Sequence, residues 1–366
     1  MRGNESRAAL AASLSAPLLA WFDANRRDLP WRRTRDPYRI WVSEVMLQQT
    51  QVATVIPYYR RFLQAFPTVR ALAEAPLDEV LRLWAGLGYY SRARNLHRAA
   101  QRILDEHAGR LPASFAELGR LPGLGAYTAG AVASIAFGER VPCIDGNVMR
   151  VLARVIGLTG DVRAGRGRQR LQRLAQAAVP ADRPGDHNQA LMELGALICR
   201  PRDPLCEACC LSGLCEARRL GRQARIPAPR RRPRTQVVRM AAALVERRGR
   251  VLIARRPPEG VWGGLWEFPN VQVTTAERPE AALSGYLADA FGLAVEVGES
   301  VMSVTHCIMH RRIELTAYRC RVLAGRTQAS RHTATRWLPP PELAAYALPA
   351  PHRSLAGCGD LAESRR

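Results

Sequence analysis

Two carboxylates occupy sequence positions that suit acid–base chemistry. Glu44 lies among the apolar residues Val42, Val45 and Met46, and burial beside them would raise its pKa and suit it to donate a proton. Asp145 follows an apolar stretch and directly precedes a helical pattern. Each also has a simpler interpretation, because Glu44 suits a solvated helix face and Asp145 suits a helix N-cap.

Four cysteines with the spacing of metal ligands form a second chemical group. Cys199, Cys206, Cys209 and Cys215 are separated by six, two and five residues. Four thiolates in one compact loop can enclose a single tetrahedral metal ion or an iron–sulfur cluster. Spacing alone does not separate zinc from iron, and Cys210 inside the loop leaves the register open. Both an architectural and a redox role agree with this pattern.

A glycine-rich turn is a candidate phosphate site. The segment Leu121-Pro122-Gly123-Leu124-Gly125 lies between two helical patterns. Glycines permit a tight turn in which backbone N–H groups at a helix N-terminus face outward and bind a phosphate without recognising sequence. The same Pro-Gly-x-Gly pattern is also common as a plain turn.

Helical periodicity accounts for most of the first 220 residues. Ser114 and Glu117 have the spacing of a capping box for a short helix that ends at Leu118. Apolar residues recur at helical spacing over 77–84, from residue 91 onwards, over 126–137 and over 147–156. The candidate residues above therefore lie on helices or in the turns between them.

The pattern changes near residue 226, where a run rich in proline and arginine predicts an extended linker. Strand-like runs and one helix follow, at 237–245, 251–254, 280–291 and 313–322. We therefore predict a multi-domain chain, with an all-α domain over 8–225, a linker over 226–236 and a mixed α+β domain over 237–366.

The composition favours a polyanionic partner. The 54 basic residues exceed the 32 acidic ones, which gives a net charge of +22 and favours phosphate-rich ligands through counterion release. Every basic residue is arginine and none is lysine, so genomic base composition explains part of the excess. No run approaches the roughly 18 apolar residues of a membrane span. We expect a cytoplasmic protein of bacterial type, associated with the nucleoid and not with a membrane.

Several of these segments resemble MutY-type adenine DNA glycosylases of the helix-hairpin-helix superfamily. Residues 121–148 resemble the superfamily's hairpin and the Gly/Pro-rich loop with its aspartate. The segment Ser-Glu-Val-Met-Leu-Gln-Gln-Thr-Gln, residues 43–51, resembles the family's catalytic-glutamate segment, and Gly-Leu-Gly-Tyr-Tyr, residues 86–90, resembles its duplex-wedge segment. With the cysteine loop, these matches cover nearly all of residues 20–220.

The resemblance implies hydrolytic removal of adenine mispaired with 8-oxoguanine or guanine in double-stranded DNA. The adenine would be flipped out, because its glycosidic bond is unreachable inside the duplex. Glu44 would protonate the purine, and Asp145 would stabilise the positive sugar or trap it covalently, as paired carboxylates do in glycosidases. Asn147 and Tyr127 would organise the site. Tyr127 stands where endonuclease III-type enzymes carry a Schiff-base lysine.

The resemblance also implies binding roles for other residues. The adenine pocket would be lined by Trp31, Arg32 and Gln189. The disturbed duplex would be filled and wedged by Gln48, Gln49 and Tyr89, although aromatic residues there also suit a protein core. Phosphate would be bound at Leu124 and Gly125. A [4Fe–4S] cluster would be held by Cys199, Cys206, Cys209 and Cys215, because the six-two-five spacing is the one these enzymes use.

The C-terminal domain opens with a segment, residues 255–269, that resembles the start of the Nudix-like domain of the same family. A Nudix hydrolase needs an array of metal-binding glutamates in the helix that ends at Gly292, where residues 284–291 of this chain contain a single carboxylate, Asp289. We therefore expect lesion recognition without nucleotide hydrolysis. The family uses a Phe-Ser-His loop for this recognition. Thr305 and His306 match its last two residues, but Val304 replaces the phenylalanine.

Three other interpretations remain. An endonuclease III-type pyrimidine glycosylase/lyase would need an amine to form its imine with the sugar. This chain has no lysine, so we expect a monofunctional enzyme. A thymine/guanine mismatch glycosylase would have no reason to carry the C-terminal domain. A non-catalytic iron–sulfur protein acting as a redox sensor would need neither Glu44 nor Asp145. We expect a monomer, because one active site per chain gives no need for a dimer.

Overall fold

The structure, a computed structural model, describes residues 2–228 and 234–357, with side chains from residue 9 onwards. The chain forms two units. The helical unit comprises Met1–Glu74 and Asn95–Arg231, and the sheet unit comprises Ala75–Arg94 and Arg232–Arg366. Residues 229–233 of the predicted linker lie outside the described residues. Within the described ranges, no helix is both long and apolar enough to cross a membrane.

Helices account for most of the chain up to residue 228. Within that described part they are α1 (Arg2–Asn25), α2 (Pro37–Leu47), α3 (Val52–Ala65), α4 (Val69–Glu74), α5 (Leu77–Trp84), α6 (Ser91–His107), α7 (Phe115–Leu118), α8 (Ala126–Phe137), α9 (Gly146–Val155), α10 (Gly165–Ala178), α11 (Pro184–Leu197) and α12 (Glu216–Arg219). Short 3₁₀ turns lie at Pro30–Arg32, Cys206–Ala208 and Ser212–Leu214.

Local sequence explains where several helices begin and end. Asp36 caps α2 by accepting a hydrogen bond of 2.9 Å from the Tyr38 N–H. Ser114 caps α7 through the Glu117 N–H at 3.3 Å, as the capping box predicts. Helix α8 ends at Gly138, whose φ of 72° is the left-handed conformation that glycine adopts at least cost. The helices predicted over 77–84, 126–137 and 147–156 form within one residue of those bounds.

The core of the helical unit draws on α1, α9, α10 and α11. Leu14, Leu18, Leu152 and Leu194 are fully buried in it. Partly buried cysteines of the 199–215 loop pack against the same cluster. The loop is therefore attached to the core that also supports α9, the helix that follows Asp145.

The sheet unit contains one mixed seven-stranded sheet. Its strands are β1 (Gln236–Arg247), β2 (Arg250–Arg255), β3 (Trp266–Glu267), β4 (Asn270–Val273), β5 (Leu293–Ile308), β6 (Arg311–Gly325) and β7 (Ala334–Leu338). The main path runs β3-β2-β1-β6-β5, with β4 paired to β1 and β7 to β2. Strands β1 and β6 are parallel, and every other pairing among the described strands is antiparallel.

Apolar clusters pack against both faces of this sheet, which explains the run of alanines and leucine in β1. Ala242 and Leu244 belong to one cluster, and Ala243 and Val245 belong to the other, as the alternation of side chains along a strand requires. Helix α13 (Pro279–Phe291) contributes to the second cluster, and the short helix α14 (Ala350–Ala356) contributes to the first. The predicted fold class, an all-α part followed by a mixed domain, is confirmed.

One segment joins the sheet unit unexpectedly. The segment Ala75–Arg94, which precedes most of α6, groups with the sheet and not with the remaining helices. Arg255 Nη2 lies 2.6 Å from Asp78 Oδ1, and Arg94 donates a hydrogen bond to the Gly263 carbonyl. Sequence periodicity shows that this segment is helical but carries no information about such distant partners.

Candidate active site

Glu44 is a buried carboxyl on α2, only 5% exposed. Burial is the main reason that its pKa rises to about 7, and the nearby charge of Asp145 adds to the increase. The hydrogen bond from Tyr127 and the charge of Arg32 oppose the increase. A carboxylic acid with a pKa near neutrality is protonated in a useful fraction of molecules and is well matched to donate that proton. The apolar neighbours of Glu44 thus have the effect that the sequence predicts.

Tyr127 lies in the first turn of α8 and holds the Glu44 carboxyl in place. Its hydroxyl donates a hydrogen bond of 2.7 Å to Glu44 Oε2 and lies 3.2 Å from Met192 Sδ. The phenol is buried, which raises its pKa well above the usual value, so it acts as a hydrogen-bond donor and not as an anion. Met192 was not anticipated from the sequence, because a methionine in an apolar helix gives no chemical signal.

Asp145 is the N-cap of α9. Its Oδ1 accepts a hydrogen bond of 2.7 Å from the Val148 N–H, and its Oδ2 accepts one of 2.8 Å from Asn147 Nδ2. Burial raises the pKa of Asp145, and these two hydrogen bonds oppose the increase. The N-cap and the functional interpretations are therefore compatible, because capping fixes the carboxylate beside Glu44 at the positive end of a helix.

Arg150 connects this acidic site to the cysteine loop. Its Nη2 donates to Asn147 Oδ1 at 2.8 Å, and its Nε donates to the Cys199 carbonyl at 2.8 Å. One turn further along α9, Arg154 Nη1 lies 3.3 Å from Cys199 Sγ. Asp145, Asn147, Arg150 and Cys199 thus form a continuous polar chain. Neither arginine is distinguished by its sequence context, since arginine is abundant throughout this chain.

The residues predicted to bind adenine lie around one small cavity of about 40 Å³, which neither Glu44 nor Asp145 lines. Trp31, Arg32 and Gln189 all line a cavity within the helical unit. Arg32 is held there by Glu193, whose carboxylate accepts bonds of 2.9 and 3.0 Å from it and two more from the side chain of Arg27. Burial alone would raise the pKa of Glu193, but the bonds from both arginines outweigh it and hold the pKa at about 2.

The predicted duplex-contacting residues take separate positions. Gln48 Nε2 donates to Thr128 Oγ1 at 2.9 Å, which ties the end of α2 to α8. Gln49 is exposed and has a left-handed φ of 57°. Tyr89, in the sheet unit, is 42% exposed and also left-handed, with a φ of 48°. Strained, exposed side chains of this kind are concentrated at functional surfaces.

The glycine-rich turn has the predicted conformation. Gly123 has a φ of 78°, and a Cβ atom on it would lie 2.6 Å from the Asn95 Cβ, so no larger residue fits. Gly125 is the N-cap of α8 and supplies no side-chain cap, which leaves N–H groups of the first turn free for an outside acceptor. The side chain of Leu124 is buried, so only its backbone is suited to contact phosphate.

The four predicted cysteine ligands line one small cavity, together with Arg154. Cys210 is not among its lining residues, which favours the register with six, two and five intervening residues. Among the described residues, no three acidic, cysteine or histidine side chains converge as they would on a single ion. The ligand chemistry of four thiols that line one space fits an iron–sulfur cluster. Arg154 Nη1, 3.3 Å from Cys199 Sγ, offers a charge-assisted hydrogen bond to a thiolate ligand.

Thr305 and His306 lie in strand β5 and not in a loop. Successive residues of a strand point to opposite faces, so their side chains diverge. His306 lines a cavity of about 270 Å³ within the sheet unit. Thr305 is exposed and does not line it. Ser303, on the same face as Thr305, is hydrogen-bonded across to Thr316 at 2.9 Å.

Comparison with known proteins identifies the class of protein that has these features. Residues 42–178 match the HhH-GPD superfamily of base excision DNA repair proteins, and residues 240–356 match the NUDIX domain. A solved structure of a thermostable thymine-DNA glycosylase is 32% identical, with a TM-score of 0.54, over 60% of this chain and all of its own. The helical unit therefore has the architecture of base-excision glycosylases, and a NUDIX domain follows it.

The curated relatives narrow the class to a family. The adenine DNA glycosylase of Homo sapiens is 41% identical over 71% of this chain and 58% of the human protein. That of Rattus norvegicus is 38% identical over 88% of this chain and 73% of the rat protein. The chain belongs to the adenine DNA glycosylase family, which confirms the resemblance found in the sequence. It spans just over half the length of its human relative.

Proposed function

We propose that this protein hydrolyses the N-glycosidic bond of adenine mispaired with 8-oxoguanine or guanine in double-stranded DNA. The observation that carries the proposal is the pair formed by buried Glu44 and partly buried Asp145. Tyr127 is hydrogen-bonded to Glu44 at 2.7 Å, and Asn147 is hydrogen-bonded to Asp145 at 2.8 Å. Two carboxyl groups whose surroundings give them different proton affinities are the usual basis for separate acid and charge-stabilising roles.

Glu44 is the general acid of this mechanism. Its raised pKa of about 7 keeps a proton available at neutral pH, and protonation of the flipped purine makes the base a better leaving group. The bond between the sugar C1′ and the adenine nitrogen breaks, and its electron pair leaves with the base. Tyr127 orients the Glu44 carboxyl throughout this step.

Asp145 stabilises the positive charge that develops on the sugar, or adds to C1′ to form a covalent intermediate. Water then supplies the hydroxyl at C1′, and in the covalent route the bond between Asp145 and C1′ breaks with its electron pair returning to the carboxylate. The proton that water loses goes to Glu44, so the enzyme is regenerated. Asn147 and the Val148 N–H fix the aspartate for this role, because each donates to a different carboxylate oxygen.

Substrate contacts follow from the surrounding residues. Trp31, Arg32 and Gln189 form the adenine pocket, with Glu193 fixing Arg32. The backbone at Leu124 and Gly125 binds a phosphate of the DNA. The duplex around the mispair is contacted by Gln48, Gln49 and Tyr89.

The cysteine loop holds a [4Fe–4S] cluster through Cys199, Cys206, Cys209 and Cys215. When bound, the cluster supplies the cross-link that fixes this loop, and any electron-transfer chemistry of the protein would reside in it. Arg150 and Arg154 meet the loop at Cys199 and connect it to α9. The protein acts as a monomer, since the proposed catalytic groups all come from one chain.

A substrate panel tests the proposal. Single-turnover reactions would use labelled duplexes with adenine opposite 8-oxoguanine, guanine or thymine, analysed with and without alkali. We expect cleavage at adenine that depends on alkali and is fastest opposite 8-oxoguanine, because a chain without lysine lacks the side-chain amine of a lyase. Efficient cleavage without alkali would contradict the monofunctional mechanism.

Thymine opposite guanine belongs in the same panel. The similarity of the helical unit to a thymine-DNA glycosylase makes mismatch thymine removal the second candidate function. Release of thymine in preference to adenine would replace the adenine proposal with that one. DNA binding without release of either base would favour the non-catalytic iron–sulfur protein.

A further inference from the structure

The segment that places Asp145 is residues 138–145, which connects α8 to the N-cap of α9. All eight of its residues lie outside helices and strands, so regular secondary structure does not fix the position of the aspartate. The backbone groups of such a segment need partners in neighbouring elements. Asn188, on α11, supplies partners for two of them.

The amide of Asn188 is buried and joins this segment to two helices. Its Oδ1 accepts a hydrogen bond of 3.1 Å from the Cys143 N–H, and its Nδ2 donates one of 2.9 Å to the Val141 carbonyl. The same Nδ2 donates to Ser134 Oγ, on α8, at 2.9 Å. An N–H can only donate and a carbonyl can only accept, so these partners also fix which way the amide points.

Two glycines show how closely the segment, α8 and α11 pack together. A Cβ atom on Gly130 of α8 would lie 2.7 Å from the Pro142 carbonyl oxygen, and one on Gly185 of α11 would lie 2.6 Å from the Ser134 carbonyl oxygen. Both contacts are with backbone atoms, which cannot rotate away as a side chain can. The segment therefore has one close-packed position against α8, and the buried amide holds it there.

The same two helices hold the general acid. Tyr127 of α8 donates its hydroxyl proton to Glu44, and that hydroxyl lies 3.2 Å from the sulfur of Met192 on α11. Within the segment, Cys143 Sγ lies 3.5 Å from the Tyr127 carbonyl oxygen. The helices that position Glu44 and the segment that carries Asp145 therefore meet at the buried amide.

The separation of the two carboxyl groups affects both of their roles. The charge of Asp145 raises the pKa of Glu44, whereas Tyr127 and Arg32 lower it. Because the interaction between charges weakens with distance, a segment that moved away from α8 would lower the pKa of Glu44. It would also misplace Asp145 relative to the sugar, and a displacement of about 1 Å can slow an enzymatic step by about a hundredfold.

We propose that Asn188 is a positioning residue for adenine release, which fixes Asp145 relative to Glu44 and Tyr127 by holding the backbone at residues 141 and 143. This inference rests on the proposed function and deepens it, because it names a residue that sets the separation of the two carboxyl groups. The side chain of Asn188 is almost completely buried, so it acts through the backbone that it holds and not by contact with the DNA.

The test is the pH profile of adenine release by Asn188→Leu, a variant of similar volume that makes none of the three hydrogen bonds. Single-turnover rates would be measured between about pH 5 and about pH 9 with full-length, cluster-loaded protein on a duplex with adenine opposite 8-oxoguanine. We expect release at neutral pH to slow at least about tenfold. The midpoint of the decline in rate at alkaline pH should move to lower pH, which a general loss of stability would not cause.

DNA binding is measured in parallel, on a duplex that contains 2′-fluoro-2′-deoxyadenosine, a nucleoside that resists hydrolysis. We expect Asn188→Leu to bind this duplex with nearly the parental affinity, because the buried amide has no contact with DNA. Thermal unfolding would be recorded for every variant.

A second variant and a control complete the test. Gly130→Ala displaces the segment without removing a hydrogen-bonding group, because the added Cβ meets the Pro142 carbonyl oxygen, and alanine favours the helix. It should slow release and lower the midpoint as Asn188→Leu does. Asn270→Leu is the matched control, since Asn270 is a buried asparagine of the sheet unit whose Nδ2 donates to the Phe268 carbonyl at 2.9 Å. It should keep the parental profile.

The outcomes separate the inference from the proposed function. Slower release and a lower midpoint in Asn188→Leu and Gly130→Ala, with a parental profile in Asn270→Leu, support the inference. A parental rate in Asn188→Leu, or a lower rate with an unmoved midpoint, overturns the inference and leaves the proposed function intact. If Asn188→Leu does not fold, a parental profile in Gly130→Ala still overturns it. Parent protein without adenine release overturns the proposed function itself.

Discussion

Replacing Glu44 with glutamine should make the protein inactive and, above neutral pH, more stable. Burial raises the Glu44 pKa from 4.5 to about 7. At about 1.36 kcal/mol per pKa unit, this shift corresponds to roughly 3 kcal/mol of lost stability once the carboxyl must ionise in the folded protein. Glutamine has nearly the same shape, can still accept the Tyr127 hydrogen bond and does not ionise.

The sign of this effect follows from proton linkage. A raised pKa in the folded state means that the unfolded chain ionises first as pH increases. The contribution of Glu44 to stability is therefore fully present below about pH 4.5 and is lost as the pH rises through about 7. Between about pH 5 and about pH 8.5, the stability of Glu44→Gln relative to the parent should increase by about 2 to 3 kcal/mol.

The measurement is unfolding of cluster-loaded parent and variant at both pH values. For a unit of this size, the expected change corresponds to a shift in Tm of roughly 5 to 10 °C. Glu106→Gln is the matched control, because Glu106 is exposed on α6 and pairs with Arg102 at the surface, where such pairs contribute about 1 kcal/mol or less. A relative stability of Glu44→Gln that does not change with pH would refute the assignment of Glu44 as a buried, destabilised acid.

Three other predictions concern the same site. The single-turnover rate of adenine release should fall about tenfold per pH unit above pH 7, because deprotonated Glu44 cannot donate a proton. A rate that does not change up to pH 9 would contradict this. Arg150→Leu should slow release at least about tenfold while DNA affinity and iron content persist, because Asn147 loses its partner; an unchanged rate would show that the polar chain is dispensable. Glu193→Gln should lower the free energy of unfolding, measured with denaturant, by about 3 kcal/mol, since it leaves Arg27 and Arg32 without their carboxylate. A decrease below about 1 kcal/mol would show that water solvates the two arginines in place of the carboxylate.

Local patterns in the sequence predict local structure well. The capping residue Ser114 and the left-handed glycine Gly138 mark helix ends that the structure contains. The apolar surroundings of Glu44 predict its burial, and Asp145 lies where its N-cap pattern indicates. Each of these features depends on residues within a few positions of one another, where backbone geometry fixes the outcome.

Long-range contacts were beyond such reasoning. Glu193 fixes Arg32 although 161 positions separate them in the sequence. The ring of Trp262 lies 6.3 Å from that of His306, centroid to centroid, in a sheet unit whose strand order cannot be inferred from periodicity. Residues 304–306, which match a loop of the related family, lie in strand β5. Because successive residues of a strand point to opposite faces, the side chains of Thr305 and His306 diverge although the two residues are adjacent in the sequence.

The most direct test of the central claim is to quantify free adenine released from a duplex with adenine opposite 8-oxoguanine under single-turnover conditions. The parent would be compared with Glu44→Gln and Asp145→Asn, with DNA affinity recorded in parallel. We expect stoichiometric release by the parent and a loss of at least about a thousandfold in either variant, with affinity retained. Release at the parental rate by both variants would contradict the mechanism.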